Sequence, residues 1–385
     1  MNNISVIKNC YGCGVCAIAC PKKIIEMKLN KEGFYEPFIN NINACNECRL
    51  CLDVCSFTHN DLSLKQQNQI AGYAAWSKDE NIRYQCSSGG VSFEIGKYLI
   101  NQGYQAIGVR YNTEKNIAEH YLAKTIEEFA ESIGSKYIQS STINGFANIN
   151  KNDKFLITGT PCQIDSIRRY IKKFNIEENF ILIDFFCHGV PSMLMWNKYL
   201  NQVQKKIDQI GSIYWRNKQD GWHDSWVIAI SDKNAMLNLE NMKNQKFIFY
   251  SKKSKGDTFY RFFLGHYCLG EQCHNNCKYK QYQSSADIRI GDLWSKLYEN
   301  NQDGVSSVLT ITKRGNELIK SIATLQLIEL DVDTITEGQM KTCPKIPISR
   351  SVAMFLLKSK LPLKYIAFIC KSVEYFTKIF KHPNL

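Results

Sequence analysis

The stretches CYGCGVCAIAC at residues 10–20 and CNECRLCLDVC at residues 45–55 carry four cysteines each, in the same spacing C-x2-C-x2-C-x3-C. A 4Fe-4S cluster needs four thiolates that converge on it. In this motif three cysteines of one run bind one cluster, and the fourth cysteine reaches the other cluster. The repeat therefore predicts a two-cluster module with crossed ligands. The predicted sets are Cys10, Cys13, Cys16 and Cys55 for one cluster, and Cys45, Cys48, Cys51 and Cys20 for the second.

The paired runs resemble the two-cluster ferredoxin of bacteria, which implies the passage of single electrons between clusters. Pro21 completes the first motif, whereas Ser56 stands where the second motif would have proline. That departure can alter the local turn or the cluster potential, and it leaves all eight ligands in place. Zinc sites are the alternative, since C-x2-C pairs also bind zinc, but zinc rarely uses this tripled spacing. We therefore favour iron–sulfur clusters.

The composition excludes several other classes of protein. The chain has 385 residues, 44% of them hydrophobic and 22% charged, which suits two or three folded domains and excludes wholesale disorder. Its 16 cysteines, with no apolar leader in MNNISVIKNCYGC, favour metal or redox chemistry in a reducing, cytoplasmic compartment over disulfides. The formal net charge is +12, but the lysines are scattered, so we predict no nucleic-acid partner. No apolar run reaches the roughly 18 residues that a transmembrane helix needs.

From residue 72 onward the sequence alternates apolar strands with helical segments. KFLIT leads through GTPCQ into IDSIRRYIKK, and FILIDFF leads through CHGVPS into MLMWNKYL. Such alternation predicts a sheet covered by helices. Within the late tail, Ser351–Phe380 is apolar and basic, and we predict a docking or surface helix there, with peripheral membrane contact as the less favoured alternative. The fold prediction is a mixed α+β and α/β chain, with a ferredoxin-like β-hairpin and helix module at 1–62, an α/β domain in two parts at 70–150 and 151–320, and a mixed, largely helical C-terminal segment at 321–385.

Eight short segments between about residues 71 and 309 carry a family resemblance. They are CSSGGVSFEIGKYL, GSKYIQS, GTPCQI, CHGVPS, the W-R-N-K…GW stretch at 215–222, CHNNCKYK, ADIRIGDLW and DGVSSVL. In this order they resemble the coenzyme F-420 hydrogenase/dehydrogenase beta-subunit family. The resemblance implies a flavoprotein, usually with FAD and otherwise FMN, whose α/β domain binds the flavin beside a further 4Fe-4S cluster. It also implies an oxidoreductase linked to ferredoxin or coenzyme F-420, and many bacterial relatives are associated with polysaccharide biosynthesis, which suggests a glycan-precursor substrate.

A candidate flavin site begins with the Ser-Ser-Gly-Gly segment at residues 87–90, just before a helical pattern. Backbone N–H groups and the positive end of a helix can hold a phosphate there. An ordinary serine cap on a core helix is the alternative, and the family resemblance favours cofactor binding. The resemblance also implies a lysine that pairs with a cofactor phosphate and a strand end that approaches the cofactor. The predicted cofactor-binding residues are Ser87, Ser88, Gly89, Gly90, Lys136, Gly159 and Thr160.

The third cluster that the resemblance implies needs four more cysteines. The segment C-H-N-N-C has three residues between its cysteines where the family has two, so either the loop bulges by one residue or Cys268 replaces one ligand. Cys86 is a further candidate, Cys343 is ambiguous, and Cys370 is expected in the core. The predicted ligands are Cys162, Cys187, Cys273 and Cys277.

Three interpretations of function remain open. The favoured one is an iron–sulfur flavoprotein oxidoreductase with unassigned catalytic residues, for which His188 and His223 are candidate proton donors. The alternatives are a non-catalytic electron-transfer subunit that docks onto a separate reductase and a protein whose clusters are only structural. A Cys–His nucleophile is disfavoured, because the neighbours in Cys187-His188 or Cys273-His274 would point to opposite faces of a strand. Since no G-x-G-x-x-G fingerprint is present, we predict reduced ferredoxin rather than a nicotinamide dinucleotide as electron donor.

Overall fold

The computed structural model describes residues 2–64, 70–207, 209–232, 245–275, 277–339 and 341–381. The first of these ranges folds as a small module in which a two-stranded antiparallel hairpin lies between two short helices. Its register runs from Ile25 opposite Ile39 to Leu29 opposite Tyr35. The elements are α1 (Val15–Ala19), β1 (Ile25–Leu29), β2 (Tyr35–Ile39) and α2 (Leu50–Asp53).

The backbone of this module repeats with its sequence. Gly12 and Glu47, which precede the second cysteine of each run, both have positive φ, at 67° and 53°. Gly14 and Arg49, which follow that cysteine, also match, at 77° and 63°. Both runs therefore turn in the same way before their helix begins, and the repeat is structural as well as chemical.

The remaining chain forms a mixed α/β domain. Its first part contains β3 (Ala71–Ser77), α3 (Glu80–Gln85), α4 (Val91–Asn101), β4 (Gln105–Asn112), β5 (Ile117–Ala123), α5 (Ile126–Ala130), β6 (Ser140–Ser141) and α6 (Ile143–Phe146). Its middle part contains β7 (Phe155–Thr158), α7 (Pro161–Lys173), β8 (Phe180–Phe185), α8 (Met193–Gln204), β9 (Ile213–Arg216), β10 (Trp226–Ser231), β11 (Phe247–Lys252), α9 (Thr258–Leu264) and α10 (Glu271–Asn275). Its last part contains β12 (Ile288–Asp292), β13 (Ser306–Thr310), α11 (Lys313–Ser321), β14 (Leu325–Leu330), α12 (Val332–Ile335), α13 (Arg350–Leu357) and α14 (Leu363–Lys381).

A nine-stranded sheet forms the centre of this domain, in the order β14-β3-β13-β12-β8-β7-β4-β5-β6. Strands β12, β8, β7 and β4 are parallel neighbours, and β3 runs in the same direction because two antiparallel pairings separate it from β12. The central strands β7 and β8 are apolar and almost wholly buried, as strands covered on both faces must be. The carboxyl ends of β3, β4, β7, β8 and β12 consequently meet at one edge of the sheet, which we call the carboxyl edge. In open α/β sheets this is the edge where ligands bind.

The predicted fold class is confirmed, and one detail of the predicted organisation differs. The sequence predicts a helical tail from residue 321, but LQLIEL forms β14, because it pairs antiparallel with β3 from Leu325 opposite Ser77 to Leu330 opposite Gly72. The predicted boundary at residue 150 falls between α6 and β7, and the sheet continues across it through the β4–β7 pairing. The division of the chain into separate units stays a prediction. In the part of the chain that is described, no helix has the length and apolarity needed to cross a membrane.

Candidate iron–sulfur and cofactor sites

Two cavities in the N-terminal module are each lined by one of the predicted ligand sets. One cavity is lined by the cysteines of the first triplet together with Cys55, and the other by the second triplet together with Cys20. The fourth cysteine of each run thus lies with the triplet of the other run. Apolar side chains such as Ile4, Ile25 and Met27 surround these thiols. Four thiols around an apolar cavity are a donor set that fits a 4Fe-4S cluster.

The two cavities differ in their access to water. Around the first, Cys13, Cys16 and Cys55 are buried, and burial raises the pKa of the Cys16 thiol well above its usual range. At the second, Cys48 is exposed. Because iron binds thiolates, cluster assembly in the first cavity has to release the proton that burial otherwise holds on the Cys16 sulfur. The first cavity is the inner one and the second is the outer one.

A third group of four thiols lies at the carboxyl edge. Cys162 follows β7 and Cys187 follows β8, so two neighbouring parallel strands bring them to the same place. Cys273 lies in α10 and Cys277 follows that helix. Each of the four thiols interacts electrostatically with at least two of the others. The structure thus brings together the four predicted ligands of a third cluster, and Cys162 is also close enough to Cys13 of the inner cavity to interact with it.

Cationic side chains surround this third thiol group. Burial raises the pKa of the Cys187 thiol, and Lys280 and Arg289 oppose that rise. Arg289 is itself fully buried and donates two hydrogen bonds of 2.7 Å to the carboxylate of Asp184. Its remaining nitrogen donates to the carbonyl oxygens of residues 279 and 281, on either side of Lys280. The segment ADIRIGDLW therefore supplies the arginine that holds a lysine beside the thiols, and cations favour the thiolate form that iron binds.

The alternative ligands have different surroundings. Cys268 is fully buried beside Cys370 and Arg350, and its carbonyl oxygen accepts a 2.8 Å hydrogen bond from the backbone of Ser192. Residue 276, where the extra residue of C-H-N-N-C would bulge, lies outside the described residues. Cys86 is buried at the start of the candidate flavin loop instead of beside the third thiol group.

Cys343 is the cysteine that sequence reasoning placed least well. A hydrogen bond from its thiol lowers the pKa of the Cys277 thiol, and its sulfur lies 3.2 Å from the carbonyl oxygen of Cys277. The only local signal in the sequence is the dipeptide Cys-Pro, which Cys343 shares with the cluster cysteine Cys20. Cys343 is therefore a fifth thiol at the third group, in hydrogen-bond contact with one predicted ligand.

The candidate flavin loop at residues 87–90 lies at the carboxyl edge between α3 and α4. The Ser87 hydroxyl oxygen accepts a 2.9 Å hydrogen bond from the N–H of Ser135, and Ser88 donates a 2.7 Å bond to a carbonyl oxygen before β13. Gly89 is packed so closely against β3 and β13 that a Cβ there would collide with their backbones. Gly90 has a φ of 88° and begins α4. The loop is a fixed helix N-terminus, and several of its polar groups are already used to hold it.

Two lysines lie on either side of this loop. Lys218 is buried and donates hydrogen bonds of 2.6 Å each to the carbonyl oxygens of Arg83, Ser88 and Asp303. Lys136 donates to two carbonyl oxygens of the loop before it, at 2.9 and 3.2 Å. Burial lowers the pKa of each lysine to about 7. Sequence reasoning found Lys136 and missed Lys218, although Lys218 is the last residue of the W-R-N-K segment.

An aromatic and ionic cluster lies beside Lys218. Arg216 donates to both carboxylate oxygens of Asp292, at 2.8 and 3.2 Å, and the indole N–H of Trp222 donates to the same carboxylate at 2.8 Å. Trp222 stacks on Trp294 with ring centres 5.1 Å apart. Because the indole of Trp226 also lies within 6.5 Å of Trp294, several flat aromatic faces gather at this part of the carboxyl edge.

Gly159 and Thr160 lie with the third thiol group instead of the Ser-Ser-Gly-Gly loop. The Thr160 hydroxyl is 3.2 Å from the sulfur of Cys162. The backbone N–H of Thr160 donates a 2.8 Å hydrogen bond to the side chain of Gln163, which caps the start of α7. Four steps in the sheet order separate β7 from β3, which is about 19 Å at the usual strand spacing. Only an extended ligand could contact both parts of the predicted cofactor site.

The histidines next to the third thiol group contact other partners. The ring of His188 makes tilted contacts with the rings of Phe263 and His266, with centres 4.8 and 4.7 Å apart, and His274 lies 2.8 Å from the carbonyl oxygen of Pro344. His223 lies 3.3 Å from the carbonyl oxygen of Tyr298. Among the described residues no three His, Cys, Asp or Glu side chains are grouped to hold a single metal ion. A four-iron cluster differs from such a site, because each of its ligands binds a different iron.

Comparison with known proteins identifies the family of the chain and its N-terminal domain. The family model described as 4Fe-4S dicluster domain matches residues 9–58. The models for the N-terminal and C-terminal parts of the coenzyme F420 hydrogenase/dehydrogenase beta subunit match residues 72–145 and 152–334. A chain from the F420-reducing [NiFe] hydrogenase complex of Methanosarcina barkeri is 17% identical over 80% of this chain and 93% of that chain, with a TM-score of 0.46. No protein with a curated description matches. The chain therefore belongs to the coenzyme F420 hydrogenase/dehydrogenase beta-subunit family and carries a 4Fe-4S dicluster domain at its N-terminal end.

Proposed function

We propose that the chain is an iron–sulfur flavoprotein oxidoreductase that connects a two-electron carrier or substrate to one-electron centres. One observation carries the proposal: the three cysteine groups follow one another from an exposed surface to the carboxyl edge. The outer cavity contains the exposed Cys48, the inner cavity lies behind it, and Cys13 of the inner cavity interacts with Cys162 of the third group. Such a series suits short electron-transfer steps.

The chain's own residues would position and charge the cofactors. Bound clusters would exchange single electrons and a bound flavin would exchange a pair, which is chemistry that the cofactors supply. Lys280 and Arg289 favour the thiolate form of the third group. At the flavin loop, the N-terminus of α4 and Lys136 would bind phosphate, while Lys218, whose three N–H donors are used by carbonyl oxygens, would hold the loop and add positive charge beside it. Trp294, which is only partly buried and stacks on the buried Trp222, is the aromatic side chain of this cluster that suits contact with the flat ring system.

We propose FAD in preference to FMN. The Ser-Ser-Gly-Gly loop follows β3 and Thr160 follows β7, two strands that lie about 19 Å apart at the usual strand spacing, and a dinucleotide is long enough to span that distance. The proposed electron donor is reduced ferredoxin, with coenzyme F-420 second, and the proposed setting is the cytoplasm. A low-potential viologen should then bleach the flavin faster than NADH does, as measured by anaerobic stopped-flow. A glycan precursor in polysaccharide biosynthesis is the substrate class that family resemblance suggests.

Iron and flavin analysis of the anaerobically purified full chain tests the proposal. Three clusters predict about 12 iron atoms and 12 sulfides per chain, together with one releasable flavin. Cys162→Ser should reduce the count to about 8, whereas the matched core variant Cys268→Ser should leave it unchanged. A count of about 8 in the unsubstituted chain would remove the third cluster, and zinc without sulfide would overturn the whole proposal.

The second candidate function is a non-catalytic electron-transfer subunit that docks onto a separate reductase. The observation that favours it is the number of internal hydrogen bonds that already hold the loop at residues 87–90. About 12 iron atoms with no flavin would support this candidate and count against the oxidoreductase. Clusters that do not cycle with dithionite and air would instead support a purely structural role.

Large aromatic side chains are exposed on the C-terminal helices. Phe355 and Phe368 are 74% and 70% exposed, and the exposed Lys364 and Lys371 lie on the same helix as Phe368. Aromatic side chains among lysines suit the headgroup region of an anionic membrane. We propose peripheral contact with such a membrane, and Phe368→Glu should abolish co-flotation with phosphatidylglycerol vesicles. Leu297→Glu, at another exposed apolar position, is the control, and equal loss in both variants or no flotation at all would refute the contact.

A further inference from the structure

The residue that departs from the ferredoxin motif connects the two parts of the protein. Cys55 is followed by Ser56, where the first run has Cys20-Pro21. The N–H of Ser56 donates a 3.0 Å hydrogen bond to the hydroxyl oxygen of Ser166, and the Ser56 hydroxyl donates a 3.0 Å bond to the carbonyl oxygen of Cys162. Proline has neither donor, so the usual residue could make neither bond.

Ser166 in turn contacts a ligand of the inner cavity. Its hydroxyl oxygen lies 3.3 Å from the sulfur of Cys13, and Ser56 and Ser166 are both buried. A sulfur that binds iron is a thiolate and cannot donate. The Ser166 hydroxyl, which accepts the bond from Ser56, therefore directs its single hydrogen to the sulfur of Cys13. A hydrogen bond to a ligand sulfur stabilises the more negative, reduced cluster and raises its reduction potential.

We propose that Ser56 and Ser166 are positioning residues that make the inner cluster the relay to the large domain. Ser56 fixes Cys55 of that cluster beside Cys162 of the third group, and the Ser166 hydroxyl raises the reduction potential of the inner cluster. With the clusters bound, a single electron would reach the third centre from the outer cluster through the inner one, with no proton transferred. Electron transfer to the third centre rests on the proposed function, whereas the shift in potential requires only that the inner cavity binds its cluster.

Other contacts hold the same junction. The ammonium of Lys278 donates to the carbonyl oxygen of Ser56 at 3.0 Å and to that of His59 at 2.6 Å. The ring of Tyr11 meets the edge of Tyr279 with centres 5.9 Å apart. At the outer cavity the corresponding residue, Pro21, is exposed. The bridge therefore belongs to one of the two cavities, even though the two runs have the same cysteine spacing.

The test is an EPR-monitored redox titration of the anaerobically purified full chain. Ser166→Ala should lower the potential of the inner cluster and leave that of the outer cluster unchanged, at full iron content. Ser56→Pro should also slow reduction of the third centre by the outer cluster, measured by rapid freeze-quench after mixing with reduced viologen. Ser166→Thr, which keeps the hydroxyl, should leave the reduction potential of the inner cluster close to that of the unsubstituted chain.

Pro21→Ser is the matched control, because it changes the same motif position at the outer cavity, where Pro21 is exposed. It should move neither potential. Unchanged potentials in Ser166→Ala at full iron content would overturn the proposal, and so would equal shifts of both clusters. If the unsubstituted chain gave no signal from a third cluster, the proposed function would fail while the titration of the inner cluster would still decide the role of Ser166.

Discussion

The inner and outer cavities of the N-terminal module have the same ligand spacing and opposite surroundings. Gly14 is packed so tightly against Thr142 that a Cβ would collide, whereas its counterpart Arg49 is exposed. Ser56 donates two hydrogen bonds into α7, whereas Pro21 is exposed. The repeated spacing determines which cysteines meet, and the residues between and after them determine what each site faces. One run is adapted to a protein neighbour and the other to solvent.

Removal of single ligands gives the largest expected effect and tests whether the two cavities are separate sites. Cys20→Ser should remove the outer cluster, with a loss of about 4 iron atoms and 4 sulfides, because Cys20 lines the outer cavity with the second triplet. Cys55→Ser should remove the inner cluster to the same extent and also interrupt electron transfer to the third group. EPR spectra of the two variants should lose different signals. If Cys20→Ser lost the signal of the Cys10, Cys13 and Cys16 triplet, the crossed pairing would be wrong.

The cysteine spacing was enough to predict the two N-terminal sets, because it encodes both the ligands and the turn geometry of the chain. The third set depends on Cys162 and Cys187, which are far apart in sequence and meet only because β7 and β8 are adjacent in the sheet. The family resemblance, rather than local pattern, identified them. The strand β14 was predicted as helix, because the pairing with β3 that makes it a strand is formed over about 250 residues of chain.

The cofactor loop was the part that sequence predicted least completely. Ser87, Ser88 and Gly90 do form a helix N-terminus, as the local pattern indicates. Lys218 is far from this loop in sequence, and only the structure shows that its ammonium donates a hydrogen bond to the carbonyl oxygen of Ser88. Thr160 was assigned to the same site by resemblance, yet it caps α7 beside Cys162. Local sequence therefore describes a turn well and describes poorly what the rest of the fold brings to it.

The second prediction concerns the pH dependence that the lysines near the flavin loop give to protein stability and to cofactor binding. Burial lowers the pKa of Lys218 to about 7, below its unfolded value, so below that pH the charge is held in the folded protein at a cost. Without ligand, stability should rise as pH increases from about 7 towards the unfolded pKa, because the unfolded chain then binds more protons.

Binding of an anionic cofactor should show the opposite dependence. A phosphate favours the protonated lysine, so flavin affinity should fall roughly tenfold between pH 6 and 8 for each lysine that must be charged. Lys218→Met should weaken affinity at pH 6 and flatten this dependence, as measured by fluorescence titration of the apoprotein. The surface variant Lys151→Met is the control. If flavin affinity kept the same pH dependence in Lys218→Met and in Lys136→Met, the charge of neither lysine would contribute to phosphate binding.

The smallest expected effect concerns the solvent side of the outer cavity, where surface charge should affect the rate of encounter with a redox partner. Lys22 and Arg49 line this cavity and are exposed, close to the exposed Cys48. A cationic rim speeds association with an acidic redox protein, and salt screens that effect. Lys22→Glu combined with Arg49→Glu should therefore slow reduction by an acidic ferredoxin several-fold at low salt, and the difference in rate should shrink as the salt concentration rises. Lys151→Glu, away from the cavity, should have no effect in the same anaerobic stopped-flow experiment.

At high salt, surface charges are screened, so the unsubstituted chain, the double variant and Lys151→Glu should be reduced at similar rates. Equal rates at low salt would mean that electrons reach the inner cluster by a path that does not pass the outer cavity, and the contrast between the two cavities would then lose its functional meaning.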